Sequence, residues 1–204
     1  MKNLFYLLLT LFLISCSEKR ITIDETTKTG GLVYYNGKPF NGIVFEMYNS
    51  KQVSHEIHYK DGEKDGVEKY FSKKGILTVM RTYKKDEYDG PYEIYYETYK
   101  GSKVDSLLLE SKGNYKNGEL DGETIECIDC NQDISPTGEN SFEVEKLFVK
   151  GNYINGNRVG KFQYFTKSNP NFSIVNYDEK GKVIDGVEIN GSNFDQFIDS
   201  RKIK

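Results

Sequence analysis

The sequence predicts an all-β protein, an elongated antiparallel meander sheet built from about five to six β-hairpin repeats of ~24 residues. Three observations predict it. First, one short pattern recurs: YKDGEKDG opens at Tyr59, YKKDEYDG at Tyr83, YKNGELDG at Tyr115 and YINGNRVG at Tyr153, after a one-residue-longer version, YYNGKPFNG, from Tyr34 to Gly42. Second, the spacing is regular. Tyr35, Tyr59 and Tyr83 lie 24 residues apart, Tyr115 and Tyr153 follow by 32 and 38, and Tyr153 to Tyr177 is again 24. Third, the chain holds 16 Tyr and 12 Phe but no Trp. Tyr favours strands and suits half-exposed sheet faces because its tip is polar.

Taken in order, residues 1–15 read as a signal peptide. Lys2 supplies the positive start, and Leu4 to Ile14 is an apolar run interrupted only by Thr10. That run is short for a membrane span and right for a signal h-region. It ends in Leu13-Ile14-Ser15-Cys16, which resembles the lipobox of bacterial lipoproteins, where the cysteine is acylated and becomes the new N-terminus. The resemblance implies lipidation at Cys16, and several acyl chains on one residue fix a protein to a bilayer without a transmembrane helix. Ser17 follows the cysteine; in Gram-negative lipoproteins Asp at that place favours inner-membrane retention, so Ser points to the outer membrane. Residues 16–30 are polar apart from Ile21 and Ile23 and read as the lipidated cysteine followed by a flexible tether.

Residues 31–191 carry the repeats. In residues 66–90, Val67 to Phe71 is a short aromatic strand, Ser72 to Gly75 a turn, and Ile76 to Tyr83 an alternating strand with Leu77, Val79 and Tyr83 on one face. Asp-Gly and Asn-Gly pairs favour the positive-φ positions of tight hairpins. The recurring glycines Gly37, Gly42, Gly62, Gly66, Gly90, Gly118, Gly122, Gly156 and Gly160 are therefore read as turn residues. Two strands and two turns per repeat give about ten to thirteen strands in all. Insertions fall at about residues 97–112 and 127–141. The first turns at Tyr99 to Lys103 and returns through Leu107 to Leu109. The second is a loop before a strand from Phe142 to Val149. In the tail, 192–204, Ser192 to Asp195 resembles a capping box and predicts a short helix covering a sheet end.

The repeats resemble the variant MORN repeats of bacteria, and in particular the YwqK-type antitoxins. The stretches YYNGKPFNGIVFEMY (34–48), YKDGEKDGVEKYF (59–71), YKKDEYDGPYEIYY (83–96), YKNGELDG (115–122) and YINGNRVGKFQYF (153–165) carry the resemblance, which covers about residues 31–186. Asp86 departs from it, standing where a turn glycine is usual. The resemblance implies protein–protein interaction, and in its sharper form a partner toxin neutralised by this chain. Cys16 places such an encounter in the envelope, which suits immunity to an incoming toxin better than a cytoplasmic antitoxin role.

Net charge is −3, and removing residues 1–15 deletes only Lys2, leaving −4. Such a surface gives no electrostatic case for nucleic acid. Cys127 and Cys130 form a CxxC that reads first as a local structural disulfide of an exported protein, with an unpaired dithiol and redox or metal chemistry as the other readings. The two histidines, His55 and His58, fall on opposite faces of one strand: His55 with Val53, Ile57 and Tyr59, His58 with Ser54 and Glu56. That makes them sheet-packing and surface residues rather than a ligand pair. Asp61, Asp65, Asp89, Asp121 and Asp185 are read as turn residues, since none sits in an alternating acidic calcium loop. No nucleophile elbow, phosphate loop or catalytic carboxylate pair is visible, so the sequence predicts a non-enzymatic chain without metal or cofactor. The aromatics Tyr70, Phe71, Tyr92, Tyr95, Tyr96, Phe162, Tyr164 and Phe165 recur at equivalent places. They are read as cross-strand ladders, some of which line a binding groove for a protein partner or, in a third reading, an envelope glycan.

Overall fold

The structure is a computed structural model that describes residues 18–49, 51–100, 103–128, 130, 146–166 and 173–186. Cys16, the signal segment and the expected C-terminal helix lie outside these residues. Short strands open the chain: β1 (Arg20–Thr22), β2 (Thr27–Thr29), β3 (Leu32–Tyr35) and β4 (Lys38–Pro39). The repeats follow as β5 (Gly42–Asn49), β6 (Gln52–Lys60), β7 (Glu63–Phe71), β8 (Leu77–Lys84), β9 (Glu87–Tyr88), β10 (Gly90–Lys100), β11 (Lys103–Lys116), β12 (Glu119–Leu120) and β13 (Gly122–Cys127). The last four are β14 (Phe148–Ile154), β15 (Asn157–Phe165), β16 (Ser173–Tyr177) and β17 (Val183–Asp185). A 14-stranded sheet runs from β1 through β5 to β17 in chain order, with β9 and β12 paired beside β8 and β11. β2, β3 and β4 form a separate three-stranded sheet. The meander predicted by the repeats is present, and its neighbouring strands are antiparallel throughout except for β1, which pairs parallel to β5.

That exception corrects the tether. Arg20, Ile21 and Thr22 pair with Ile43, Val44 and Phe45. Ile21 is 3% exposed and packs with Val33, Phe40, Val44 and Ile57. A stretch that looked like solvated linker is an edge strand, because one isoleucine at its centre finds a pocket. The first insertion, by contrast, simply lengthens β10 and β11, which pair as far as Lys100 and Lys103. Most of the second lies outside the described residues, and the strand expected from Phe142 is described from Phe148.

The repeat has a physical logic that the turns alone do not supply. The opening turn of each unit has two consecutive residues with positive φ, as in Asn117 (50°) and Gly118 (83°), the mirror-image turn that matches sheet twist. In four cases the second of these donates its backbone N–H to the preceding repeat, at the residue two before that repeat's closing glycine. Gly62 donates to the carbonyl of Phe40, Asp86 to Lys64, Gly118 to Tyr88 and Gly156 to Leu120, all at 2.8–2.9 Å. The turns thus dock on one another in a row along one edge. The residue before the closing glycine adds to it: Asn41 Oδ1 accepts the N–H of Asp61, and Asp89 Oδ2 that of Asn117. Asp89 reads from sequence as a turn former, yet its bond, like that of Asn41, runs between repeats. Asp86 keeps φ at 67° without being glycine, and its Oδ1 accepts the Lys64 N–H at 2.8 Å. Asp86→Ala removes that acceptor and retains the positive φ, so it should lower stability by on the order of 1–2 kcal/mol, read as a lowered urea midpoint.

Beneath the turns runs a spine of side chains. The opening tyrosine of one unit meets the residue two before its closing glycine, which meets the next tyrosine. Tyr83 lies 4.7 Å from Tyr88, Tyr88 5.1 Å from Tyr115 and Tyr115 4.8 Å from Tyr92, centroid to centroid. Lys64 sits 4.6 Å over Tyr83, and the Arg158 guanidinium 5.8 Å over Tyr177. Two apolar clusters close the ends: the Ile21–Ile57 group and a larger one of Leu147, Val149, Tyr153, Phe162, Tyr164, Val175 and Tyr177.

Candidate functional site

The second residue after each closing glycine is buried in all five repeats: Val44, Glu68, Tyr92, Thr124 and Phe162. Strand alternation sends this position to the packed face of the sheet. Four of the five are apolar, aromatic or threonine, and one is a glutamate 1% exposed. Burying a carboxylate is costly unless it is paired and hydrogen-bonded, so Glu68 marks the place where this sheet departs from its own rule.

Its neighbours come from four strands. β5 contributes Glu46, β6 His55, β7 Lys64 and Tyr70, and β8 Arg81 and Tyr83. The register sets Glu46 opposite His55, His55 opposite Tyr70, and Glu68 between Ile57 and Arg81. Oε1 of Glu68 lies 3.2 Å from His55 Nε2, 3.4 Å from Lys64 Nζ and 3.4 Å from the Tyr70 hydroxyl, which donates to it. Oε2 accepts from the Tyr83 hydroxyl at 3.0 Å and faces Arg81 Nη1 at 3.8 Å. His55 Nδ1 reaches Glu46 Oε1 at 3.5 Å, and its ring stacks on Tyr70 at 4.2 Å with 13° between planes.

Burial works against ionisation of Glu68, but the His55 hydrogen bond, the Lys64 charge and the Tyr83 hydroxyl outweigh it and hold the carboxyl at about 2. Burial first, and the Glu68 charge after it, pushes the Tyr59 phenol up to about 12 and raises Tyr70 as well. A carboxylate with donors on both oxygens stays an anion at neutral pH. Its chemical role here is to position: one oxygen, Oε1, holds both His55 and Tyr70. Tyr70 remains 37% exposed, with Met47 (39%) and Tyr48 (46%) also open to solvent. Val79 and Ile94, half-buried, extend the same face as the cross-strand partners of Tyr70 and then of Val79. The opposite face is polar, with Glu56 paired to Lys69, Glu93 to Lys112, and Lys150 2.8 Å from Glu123.

The aromatics expected to line a groove divide. Tyr70 is the exposed member of the cluster. Phe71 is half-buried, its carbonyl accepting the Tyr48 hydroxyl at 2.8 Å. Tyr95 is half-buried and donates to Glu93, Tyr96 is half-buried, and Phe165 stacks on Phe148 at 5.6 Å. Tyr92, Phe162 and Tyr164 are corrections. All three are buried, because they occupy or flank the inward position of their repeats, and they present no surface. His55 and His58 go separate ways, His58 pairing with Glu18 at 3.3 Å. Cys127 and Cys130 are joined as a disulfide, with Cα atoms 5.6 Å apart. Among the described residues no group of three or more His, Cys, Asp or Glu is arranged to hold a metal ion. Glu68 itself was missed by sequence reasoning. Aligning the units on their closing glycines was the available signal, since it sets this one charge in a column of Val, Tyr, Thr and Phe. No protein-family model and no curated protein matches this chain.

Proposed function

We propose that the chain is a non-enzymatic, lipid-anchored repeat module of the bacterial cell envelope, placed at the outer membrane, that binds a protein partner through the Tyr70–His55 face. One observation carries the reading. A buried, ionised carboxylate occupies a position that the other repeats fill with Val, Tyr, Thr and Phe, and what it secures is a solvent-exposed tyrosine, Tyr70, stacked on the half-buried His55 ring. Rigid, part-exposed aromatics flanked by apolar rows are the usual anchors of protein interfaces, because their contact area costs little side-chain entropy. The variant MORN resemblance supports the same class, and an immunity protein that neutralises a toxin is its sharpest form.

Tyr70→Ala tests the reading. Tyr70 is 37% exposed, so the variant should keep its fold, with a urea midpoint lowered by the roughly 1 kcal/mol that its stacking on His55 and its bond to Glu68 contribute. Capture of a stoichiometric partner from the native envelope should weaken by about 30-fold, the loss of one interface hot spot of roughly 2 kcal/mol. A toxin as that partner narrows the reading to immunity. Undiminished capture by the folded variant, or binding only of envelope glycan, overturns it.

A further inference from the structure

The sheet is held on a leash too short to let it swing. Glu18 already touches His58 at 3.3 Å, the Lys19 carbonyl accepts the Ile43 N–H at 2.8 Å, and Lys19 Nζ sits 3.7 Å over the Tyr35 ring. Arg20 pairs with Glu56, and Ile21 is in the core. Residues 18–21 are therefore fixed to the sheet. Because β1 runs parallel to β5, the chain upstream of Lys19 leaves beside Gly42, at the edge where the turns dock. Gly42 pairs with Tyr59, so the Asp61–Gly62 turn belongs to the same edge.

We propose that this corner, the turn edge of the first two repeats, is seated on a lipid headgroup surface while the far end of the array stands off from it. The proposal rests on the reading of Cys16 as the lipid anchor. Two Cα–Cα steps separate Cys16 from Glu18, a reach of at most about 7.6 Å. The headgroup layer is itself roughly 5–7 Å deep. An acylated Cys16 thus leaves no room for a solvated gap between bilayer and corner. β17 lies eleven strand spacings from β1, about 50 Å along the sheet. From residue 16 onward the chain carries the −4 that remains of −3 once Lys2 is gone. Anionic lipid repels such an array, so nothing draws its far end down. The Tyr70 face begins about four residues along the strands from the turn edge, roughly 13 Å from it. Its partner must therefore be met at the membrane surface rather than at the end of a flexible arm.

The chain contains no tryptophan, which makes it a clean background for a single probe. Lys38→Trp places the probe at an exposed site on the corner, and Ile184→Trp at a site 67% exposed on β17. Both full-length variants, acylated in a bacterial host, are reconstituted in phosphatidylethanolamine–phosphatidylglycerol vesicles with and without headgroup-nitroxide lipid. Mass spectrometry reports the state of Cys16, and urea midpoints report folding. Quenching several-fold stronger at position 38 than at 184 is expected. Inserting about ten Gly-Ser residues between Ser17 and Glu18, a coil long enough to lift the corner, should abolish the difference. Equal quenching at the two sites, or none at 38 in protein whose Cys16 is shown to be acylated, overturns the seated corner. An unmodified Cys16 overturns the anchor reading and the seated corner with it.

Discussion

Gly151→Val is expected to cost about 3 kcal/mol or more, enough to unfold the C-terminal repeats of a domain of ordinary stability. The reason is contact and not backbone freedom. Gly151 has no positive φ; a Cβ built on it falls 2.4 Å from two carbons of the Phe162 ring and 2.5 Å from a third. Phe162 cannot retreat. It is 1% exposed and held edge-on between Tyr153 at 5.4 Å and Tyr177 at 5.1 Å. The ring lies across the neighbouring strand where a side chain would otherwise stand, so the glycine is the floor of the larger core cluster. Gly160→Ala is the control. Gly160 has φ of 69° with nothing within 4 Å of its would-be Cβ, so that variant incurs only left-handed strain, about 1–2 kcal/mol. Urea unfolding of both variants measures the contrast. Equal midpoints would mean that Phe162 relocates and that the cradle is dispensable.

These two glycines also show what the sequence makes legible. Gly160 belongs to the repeat, and the recurrence of Tyr and Gly at fixed offsets yields the hairpins, the turn type and the chain-order meander before any coordinates. Gly151 recurs at one other place, Gly113, in the matching Lys-Gly-Asn-Tyr two residues before an opening tyrosine, where a Cβ would meet Thr124 at 2.7 Å and Tyr92 at 3.0 Å. A glycine inside a strand reads from sequence as a bulge, and only the partner strand reveals a ring lying over it. The same limit governs β1. Three residues with one buried isoleucine carry no periodicity, and their parallel pairing comes from Val33, Phe40 and Val44 offering a pocket. The candidate site was half legible. Tyr70 was singled out by its place in the repeat, yet its partners stand on four strands whose register slips at Glu46/Met47, Ile57/Tyr59 and Tyr70/Phe71. Single-sequence alternation put His55 on the right face, while the meeting of His55, Glu68 and Tyr70 depends on those slips.

Glu68→Val should remove an acid-sensitive share of the stability and the acceptor behind the binding face in one change. In the folded protein the Glu68 carboxyl titrates at about 2, against 4.5 for a free glutamate. A lowered folded-state value means that its ionised form contributes stability fully present above pH 4.5 and lost as the pH falls through about 2, on the order of 3 kcal/mol in all. Urea midpoints of wild type should therefore drop between pH 5 and pH 2, and this share of the drop should vanish in Glu68→Val. At pH 7 the valine variant should be less stable than wild type by about 2–3 kcal/mol, because Lys64 and the Tyr83 hydroxyl keep their places with no acceptor. Val44 fills the equivalent position of the first repeat, so valine itself suits the packed face. Glu68→Ala, which also leaves a void, should lose about 1 kcal/mol more. Partner binding should fall in both, because Tyr70 and His55 lose the acceptor that fixes them. A valine variant that is stable, insensitive to acid and unimpaired in binding would show that the charge positions nothing. One that fails to fold at pH 7 would make Glu68 a residue of the fold, and the exposed Tyr70 ring above it a by-product of packing.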